Sequence, residues 1–385
     1  MTENEWCEMM KIIFLSNFFN HHQRPFSDAM FARLGSNYTF IETSAMSQER
    51  KALGWGVKTL PPYVVPCEAL RRNRSIYENL INEADVVIFG SAPYGLVEQR
   101  IKANKLTFRY SERPLKKGLE LWKYLPRLVR WHRRNPQNKK VYLLCASAYT
   151  AEDYAKFFLF RNKSYKWGYF PETKRYEDIE TLIDGKERNS LIWVARYIDW
   201  KHPEIAVALC KRLKEAGYSF KMRMIGNGPL LEKTTALVKK EGLEDAIQIL
   251  GAMTPEEVRQ HMEKSQIHVF TSDRNEGWGA VLNESMNSAC VPVANQMIGS
   301  APYLIQQGEN GYTYSSEEEL YEKVECLLDH AEEREAMAGK AYGTIVNEWN
   351  SETAAERLVM LSSSILEGKE HFWQEGICSH GQIHQ

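Results

Sequence analysis

Short apolar runs, each followed by a segment with the spacing of an amphipathic helix, constrain the fold of this chain more than any other feature. Asp85–Phe89, Leu191–Ala195 and Ile267–Phe270 are almost continuously apolar rather than alternating. Such runs are typical of strands that are buried on both faces of a parallel sheet. Because strands joined by helices form βαβ units, the sequence predicts an α/β fold.

The predicted elements form two similar series. Strands are expected at Lys11–Leu15, Tyr38–Glu42, Asp85–Phe89, Leu106–Arg109, Lys140–Cys145, Leu191–Ala195, Phe220–Ile225, Ile247–Leu250, Ile267–Phe270 and Val291–Ala294. Helices are expected near Pro25–Leu34, Glu68–Asn82, Leu115–Arg134, Ala151–Phe158, Glu204–Ala216, Pro229–Glu241, Glu256–Lys264 and Ala280–Ser288. A chain of 385 residues is too long for one small core. The two series therefore predict two doubly wound domains that face each other across a cleft.

The predicted domain boundaries follow the composition of the chain. The polar segment 171–189 is expected to link a first domain, residues 1–170, to a second domain, residues 190–350. A last helix is predicted at 351–367, and whether it crosses back to the first domain stays open. The polar tail, residues 368–385, is expected to be poorly ordered.

The composition predicts a cytoplasmic protein. No run reaches about 18 apolar residues, so no membrane-spanning helix is expected. The start of the chain, with acidic residues before a short apolar run, does not resemble a secretion signal. Seven scattered cysteines favour reduced thiols over a zinc site or a disulfide framework.

The most informative segment is Glu276-Gly-Trp-Gly-Ala-Val-Leu-Asn-Glu284, which follows the strand predicted at Ile267–Phe270. Ligands of open α/β sheets bind at the carboxyl ends of strands, and a helix that begins there favours a diphosphate. Gly277 and Gly279 allow a ligand to approach the backbone. The two carboxylates can accept hydrogen bonds from sugar and ribose hydroxyls. The alternative interpretation is an acidic loop with an exposed helical glutamate.

Two further loops follow strands of the same predicted sheet. Gly226-Asn-Gly-Pro229 permits a tight turn before a helix, although such short glycine patterns are often only turns. Arg196 and Lys201 follow the first strand of the series, where two cations can hold two phosphates. Ordinary surface charge is the alternative for either residue taken alone.

Together these motifs resemble the donor domain of glycosyltransferase family 4, whose members are retaining enzymes of GT-B fold with two Rossmann-like domains. Ala195-Arg196…Lys201, Gly226-Asn-Gly-Pro229 and Glu276…Glu284 match its motifs in order over about residues 190–345. The resemblance implies that Arg196 and Lys201 bind the donor diphosphate, that Glu276 contacts the transferred sugar and that Glu284 contacts the ribose. It also places the base near Ala252 and Met253. The donor-binding residues expected besides the catalytic Glu276, Arg196 and Lys201 are Gly226, Gly228, Met253, Gly277, Trp278, Gly279, Ala280, Val281 and Glu284.

The first half resembles the family less closely, because its first loop, Asn17-Phe-Phe-Asn-His-His-Gln-Arg-Pro25, lacks the glycines that many members have. His21 and His22 are expected on the acceptor side, with a plain loop position as the alternative. Tyr94 and Arg113 follow other predicted strands of this half and are also expected there. No Asp-x-Asp occurs in the chain, so neither a metal nor another cofactor is expected.

Fourteen lysines and arginines against two glutamates lie between Arg100 and Lys140, a net charge of +12 within a chain of net charge −1. Leucines, Trp122 and Trp131 recur among these cations at roughly helical spacing, and Pro126 is expected to kink the helix. Basic residues interleaved with aromatic residues predict contact with an anionic membrane surface. The alternative is that the apolar stripe faces the core and the cations are solvated. No nucleic-acid-binding module is recognisable, so no nucleic-acid partner is expected.

The resemblance implies transfer of a sugar from a nucleotide diphosphate sugar, with UDP expected, to a hydroxyl of a lipid-linked saccharide in bacterial surface polysaccharide assembly. The enzyme is expected at the inner face of the cell membrane. One alternative is a sugar-nucleotide 2-epimerase of the same fold. A second alternative is a non-catalytic subunit that only binds the nucleotide sugar. The oligomeric state is left open.

Overall fold

The chain divides into two compact units, which are described separately. The computed structural model describes residues 9–48, 56–57, 59–369 and 373–381. Unit 1 comprises the chain up to Glu172 together with the segment that starts at Asn350, and unit 2 comprises Thr173–Trp349.

Unit 1 contains a parallel sheet of seven strands within the described residues, in the order β3-β2-β1-β4-β5-β6-β7. The strands are β1 Ile12–Ser16, β2 Tyr38–Glu42, β3 Val64–Val65, β4 Val86–Phe89, β5 Leu106–Ser111, β6 Val141–Cys145 and β7 Ser164–Lys166. Every residue of β1 and β4 is buried, because helices cover both faces of the sheet at its centre.

Unit 2 contains a second parallel sheet, of six strands within the described residues, in the order β10-β9-β8-β11-β12-β13. The strands are β8 Ser190–Val194, β9 Lys221–Ile225, β10 Ile247–Gly251, β11 Ile267–Phe270, β12 Val291–Asn295 and β13 Tyr312–Tyr314. The predicted α/β class and the tandem sheets are therefore confirmed.

Most of the helices lie between successive strands, as the βαβ pattern predicts, and the helices that start at Glu317, Ala331 and Ser351 follow the last strand, β13. Those of unit 1 are α1 Arg24–Leu34, α2 Cys67–Arg72, α3 Arg74–Glu83, α4 Glu98–Lys102, α5 Tyr124–Arg134, α6 Thr150–Ala155 and the C-terminal α15 Ser351–Glu367. Those of unit 2 are α7 Ile179–Asp184, α8 Pro203–Glu215, α9 Leu231–Lys240, α10 Pro255–Lys264, α11 Val281–Asn287, α12 Ala301–Leu304, α13 Glu317–Asp329 and α14 Ala331–Asn347. In the described residues no helix has an apolar stretch long enough to cross a bilayer.

The segment predicted as a linker at 171–189 packs largely within unit 2. Its helix α7 is capped by Asp178, whose side chain accepts hydrogen bonds from the Glu180 and Thr181 backbone N–H groups. Ile183 enters the core, and the Lys186 ammonium donates to four backbone carbonyls, including those of Ser265 and Ser288. These contacts make the polar segment part of the domain, since its few apolar and long side chains reach the interior.

Helix α15 belongs to unit 1, where it packs against α1, and Arg33 lies 3.5 Å from Glu356. The tail was expected to be poorly ordered, and this expectation is wrong for residues 373–381. Ile377 and Cys378 are fully buried, and the Cys378 N–H donates to the Lys166 carbonyl at the edge strand β7. Two apolar side chains and an open sheet edge therefore hold this polar segment.

The predicted helix Leu115–Arg134 is shorter than expected. A 3-10 helix at Leu121–Lys123 precedes α5, and Pro126 lies in the first turn of α5. Proline is tolerated in a first turn because the N–H that it lacks would have no helical acceptor there. The expected kink at Pro126 is therefore wrong: the helix starts beside the proline instead of bending at it.

Candidate functional site

The carboxyl ends of three neighbouring strands of unit 2 carry the predicted donor motifs. Strands β9, β8 and β11 are adjacent in the sheet, so the loops that follow them meet at one edge. The Tyr197 N–H donates to the Asn227 carbonyl at 3.0 Å, and the Asp273 N–H donates to the Trp200 carbonyl at 3.0 Å. The motifs are thus joined by backbone hydrogen bonds as well as by strand order.

The two glycines of Gly226-Asn-Gly-Pro229 are required by close backbone packing. Gly226 and Gly228 have φ values of 144° and 153°, in a region that side chains disfavour. A Cβ on Gly226 would lie 1.8 Å from the Ala195 carbonyl oxygen, and one on Gly228 would lie 2.5 Å from that of Tyr197. These glycines therefore seat the loop after β9 against the loop after β8, which carries Arg196 and Lys201.

Lys201 and Glu276 form the centre of the candidate site. The Lys201 ammonium pairs with the Glu276 carboxylate, and the side chains are only 13% and 15% exposed. The Thr271 hydroxyl donates to the Lys201 carbonyl at 2.5 Å and accepts from the Trp193 indole at 2.8 Å. Lys201 is therefore held through its backbone and its side chain.

Arg196 lies in the same loop but makes a looser contact. Arg196 is exposed, and its guanidinium carbon lies 5.7 Å from the centre of the Trp200 ring. An exposed guanidinium at this edge is available to a phosphate, whereas Lys201 already has a carboxylate partner.

In the segment before α11, residues 276–280, the backbone and the side chains have different surroundings. Gly279 has φ 89°, and a Cβ there would lie 2.8 Å from the Phe270 ring. Trp278 is fully buried; its indole donates to Asn283 at 2.9 Å and its ring lies 5.9 Å from that of Trp349. The Trp278 side chain thus belongs to the core, and only its backbone can serve a ligand. Gly277 is buried, and Ala280 and Val281 are partly buried at the helix start.

Glu284 lies in the first turn of α11. Burial raises the pKa of its carboxyl to about 7, although the charge of Arg259 opposes that shift. Among the described residues no hydrogen bond or ion pair engages this carboxylate. A ligand hydroxyl is a suitable partner, because a partly buried carboxylate gains from a donor.

Met253 follows β10, the outermost strand of the sheet, and packs against a small cluster that includes Ile192 and Ile225. Ala252 beside it is exposed. Both residues lie at the same sheet edge as the glycine loop, since the Gly226 N–H donates to the Gly251 carbonyl at 2.8 Å.

Two histidines near this site were not predicted. His268, inside β11, is fully buried; its Nδ1 lies 2.7 Å from the Ser285 hydroxyl, and burial lowers its pKa to about 3. His202 lies 2.8 Å from Glu204 and 3.4 Å from Asp273. Although burial lowers the pKa of His202, these carboxylates raise it overall. Asp273 had no sequence signal beyond its place in a loop after a strand.

The four residues expected on the acceptor side all lie in unit 1, in loops after β1, β4 and β5. His21 and His22 are partly buried with ring centres 3.9 Å apart, and burial and then the charge of His21 lower the pKa of His22 to about 3. The Tyr94 hydroxyl donates to the Arg133 carbonyl at 3.4 Å, which ties that loop to α5. Arg113 is buried beside Asp153, with 3.5 Å between the charged atoms.

The basic segment has two distinct apolar faces. Tyr124, Leu128 and Trp131 pack against the core of unit 1, and the Trp131 ring lies 4.5 Å from that of Phe157. The exposed face consists of side chains that are at least 67% exposed, namely Leu121, Trp122, Leu125 and Val129. The alternative that the apolar residues face the core is therefore correct for one face only. The apolar side chains of the other face are exposed to solvent and lie among cations.

Residues 175–344, which include all of the donor motifs, match the family of glycosyl transferases group 1. This match spans less than half of the chain. The resemblance predicted from Arg196, Lys201, the glycine loop and the two glutamates is thereby confirmed, and the group 1 segment begins inside the stretch predicted as a linker.

Known proteins resemble the chain in sequence over part of its length and in fold over most of its length. The chain is 28% identical over 127 residues to WcaL of Salmonella typhimurium, which its name places among colanic acid biosynthesis glycosyltransferases. That alignment covers 32% of this chain and 31% of WcaL, so the chain spans about a third of the length of the curated relatives it matches.

Among solved structures, HepE of Anabaena in complex with UDP and glucose is 13% identical, with a TM-score of 0.64 over 92% of this chain and 100% of HepE. WaaG, a glycosyltransferase involved in lipopolysaccharide biosynthesis, is 15% identical, with a TM-score of 0.60 over 93% of this chain and 100% of WaaG. At such identities the likeness concerns the fold, which is the GT-B class with two Rossmann-like units.

Proposed function

We propose that this protein is a glycosyltransferase that moves a sugar from a nucleotide diphosphate sugar to an acceptor hydroxyl. The observation that carries the proposal is the Lys201–Glu276 pair, held beside the Gly226–Gly228 loop at one sheet edge inside the group 1 segment. A diphosphate needs cations and close backbone, and a sugar needs hydroxyl acceptors. This edge provides both.

In the proposed reaction the bond between the sugar C1 and the diphosphate breaks, and a bond from C1 to the acceptor oxygen forms. The acceptor hydroxyl releases its proton to the solvent, and the nucleoside diphosphate leaves with the additional negative charge. Arg196 and Lys201 offset that charge, while Glu276 contacts the moving sugar and Glu284 the ribose. Retention of the anomeric configuration is part of the proposal, on the resemblance to family 4. No metal or other cofactor is required in this scheme.

UDP is the proposed nucleotide. HepE and TarM, whose folds this chain shares, were solved in complexes that contain UDP.

The proposed acceptor is a lipid-linked saccharide of a bacterial surface polysaccharide, met at the cytoplasmic face of the membrane. The exposed face formed by Leu121, Trp122, Leu125 and Val129, with Arg130, Arg133 and Arg134 on the same helix, supports this proposal. Exposed apolar side chains among cations complement an anionic bilayer surface. WcaL and WaaG are named for polysaccharide and lipopolysaccharide biosynthesis, which agrees with such an acceptor.

Product analysis with labelled UDP-sugars tests the function. Slow release of free sugar without an acceptor, with no change in the sugar of the remaining donor, is the expected result. Conversion of the donor to its 2-epimer would instead make the protein an isomerase. Tight UDP binding without hydrolysis or transfer to an extract of lipid-linked saccharides would make it a binding subunit.

A further inference from the structure

A cavity of about 350 Å³ in unit 1 is lined mostly by cations. Its lining comes from the segment that follows β5 and from the start of α5, and its charged lining residues are Arg113, Lys116, Lys117, Glu120, Lys123 and Arg127. None of these residues belongs to the group 1 segment, so the cavity is separate in sequence from the donor motifs.

Two guanidinium groups in this cavity have unused donors. The Nη1 atoms of Arg113 and Arg127 are buried and have no hydrogen-bond partner in the described chain. The Arg113 side chain is 4% exposed and that of Arg127 is 20% exposed. A buried donor without a partner is costly unless a ligand satisfies it.

The carboxylates around the cavity do not neutralise its cations. Glu120 pairs with Lys123 at 2.7 Å and lies 3.5 Å from Arg127, Glu112 pairs with Lys116 at 2.6 Å, and Asp153 lies 3.5 Å from Arg113. Five cations against three carboxylates leave an excess of two positive charges. The Asp153 carboxylate is shared between Arg113 and the backbone, because it also accepts a hydrogen bond from the Leu115 N–H at 3.0 Å. Lys117 is exposed and has no ion pair in the described chain.

We propose that this cavity binds a phosphate or diphosphate group of the acceptor. Planar guanidinium forks match phosphate oxygens, and the two unused Nη1 donors are the groups that a phosphate would satisfy. The exposed Leu121 and Trp122 lie in the chain between the cavity residues Glu120 and Lys123, so an apolar surface adjoins the charged one. Assignment of the phosphate to the acceptor rests on the proposed function, whereas the phosphate site itself does not.

Calorimetric titration of the full chain with inorganic pyrophosphate tests the site. Arg127→Gln should weaken binding at one site about tenfold or more, the loss expected for a hydrogen bond to a charged group. Arg130→Gln is the matched control, because it makes the same charge change on the same helix but does not line the cavity. Lys117→Gln, at an exposed position, is a second variant that should also weaken binding and is expected to fold.

The donor site can also bind pyrophosphate, so Lys201→Ala is titrated in parallel. Lys201→Ala should weaken pyrophosphate binding at a different site from the one that Arg127→Gln affects. Equal pyrophosphate binding by Arg127→Gln, Arg130→Gln and the unmodified chain would overturn it. If the unmodified chain neither binds nor hydrolyses UDP-sugars, only the proposed function fails. The phosphate site is tested separately, because pyrophosphate binding by Arg127→Gln and Arg130→Gln is compared without UDP.

Vesicles distinguish the source of the phosphate. If the group belongs to a lipid, vesicles that contain phosphatidic acid should bind more weakly to Arg127→Gln than to Arg130→Gln, and pyrophosphate should compete with them. If it belongs to a soluble phosphorylated saccharide, the two variants should bind these vesicles equally while still differing toward pyrophosphate. Both results support a phosphate site, and they differ in whether the phosphate belongs to a lipid or to a soluble saccharide.

Discussion

Lys201 pairs with Glu276 across two loops that follow neighbouring strands, one after β8 and one after β11. The cation proposed for the diphosphate and the carboxylate proposed for the sugar are therefore in contact with each other. A diphosphate must share or displace this carboxylate to reach Lys201. The pair positions both side chains, at some cost to the affinity for the donor.

Lys201→Ala should weaken UDP binding by roughly 1.5–3 kcal/mol, the range for hydrogen bonds to charged groups. Calorimetry checks this, with Lys214→Ala as the control, because Lys214 is an exposed lysine paired with Asp245 outside the site. In a double-mutant cycle, Glu276→Gln should reduce the effect of Lys201→Ala, since the two groups are in contact. Unchanged UDP affinity in Lys201→Ala would remove this lysine from the donor site.

Glu276 and Glu284 should affect different kinetic constants. Glu276→Gln should lower kcat more than it raises KM, because positive charge develops at the sugar during the reaction. Glu284→Gln should mainly raise KM for the donor, because the ribose does not change between ground and transition states. Steady-state kinetics with varied donor measure both constants. The reverse assignment of kcat and KM effects would contradict the proposed roles.

Glu284 should make donor binding depend on pH. Burial raises its pKa to about 7 from 4.5, so the folded chain without ligand holds the proton more tightly than the unfolded chain. The buried Glu284 carboxyl does not destabilise the folded chain below about pH 4.5, where it is protonated in both the folded and the unfolded state, but its destabilising effect grows as the pH rises toward 7. Relative to the unmodified chain, Glu284→Gln should therefore be more stable at pH 8 than at pH 4.5. A ribose hydroxyl favours the ionised carboxylate. UDP should therefore bind more tightly above pH 7, and that dependence should be weaker in Glu284→Gln. The same pH profile in both proteins would exclude contact between Glu284 and the ligand.

The sequence predicted most of the sheets and the donor motifs, because continuous apolar runs and glycines reflect local requirements. Tyr38–Glu42 and Ile267–Phe270 have the predicted bounds. The short edge strands at Val64–Val65, Ser164–Lys166 and Tyr312–Tyr314 were missed, since two or three residues give no periodicity. Contacts between residues that lie far apart in the sequence could not be predicted either.

Two site residues illustrate that limit. Trp278 sits within the motif that the sequence identified, yet its ring packs against Trp349 in the core, a contact that spacing cannot reveal. Arg113 was expected near an acceptor, but its unused Nη1 donor and its neighbour Arg127 became apparent only from the folded cavity. Sequence patterns thus locate loops at a sheet edge, while the direction of each side chain depends on tertiary packing.

Activity should not depend on a divalent metal. The chain has no Asp-x-Asp, and Arg196 and Lys201 are proposed to offset the diphosphate charge. Transfer should therefore proceed at an unchanged rate after dialysis against EDTA. Complete loss of activity in EDTA that Mn²⁺ restores would contradict the proposed donor site.

The exposed apolar face of α5 and the preceding turn should attach the protein to anionic bilayers. The double variant Leu121→Ser/Trp122→Ser should reduce binding to vesicles that contain phosphatidylglycerol by about tenfold or more, because burial of one large apolar side chain is worth about 1.5–3 kcal/mol. Ile76→Ser, at another exposed apolar position of unit 1, is the control and should bind normally. Each cation near the surface adds about 1 kcal/mol, screened over about 8 Å at physiological salt, so binding should fall as salt rises. Vesicle co-sedimentation measures these effects. Equal binding to neutral and anionic vesicles would contradict the electrostatic part of this prediction, and no binding to either at low salt would mean that this face does not meet a membrane.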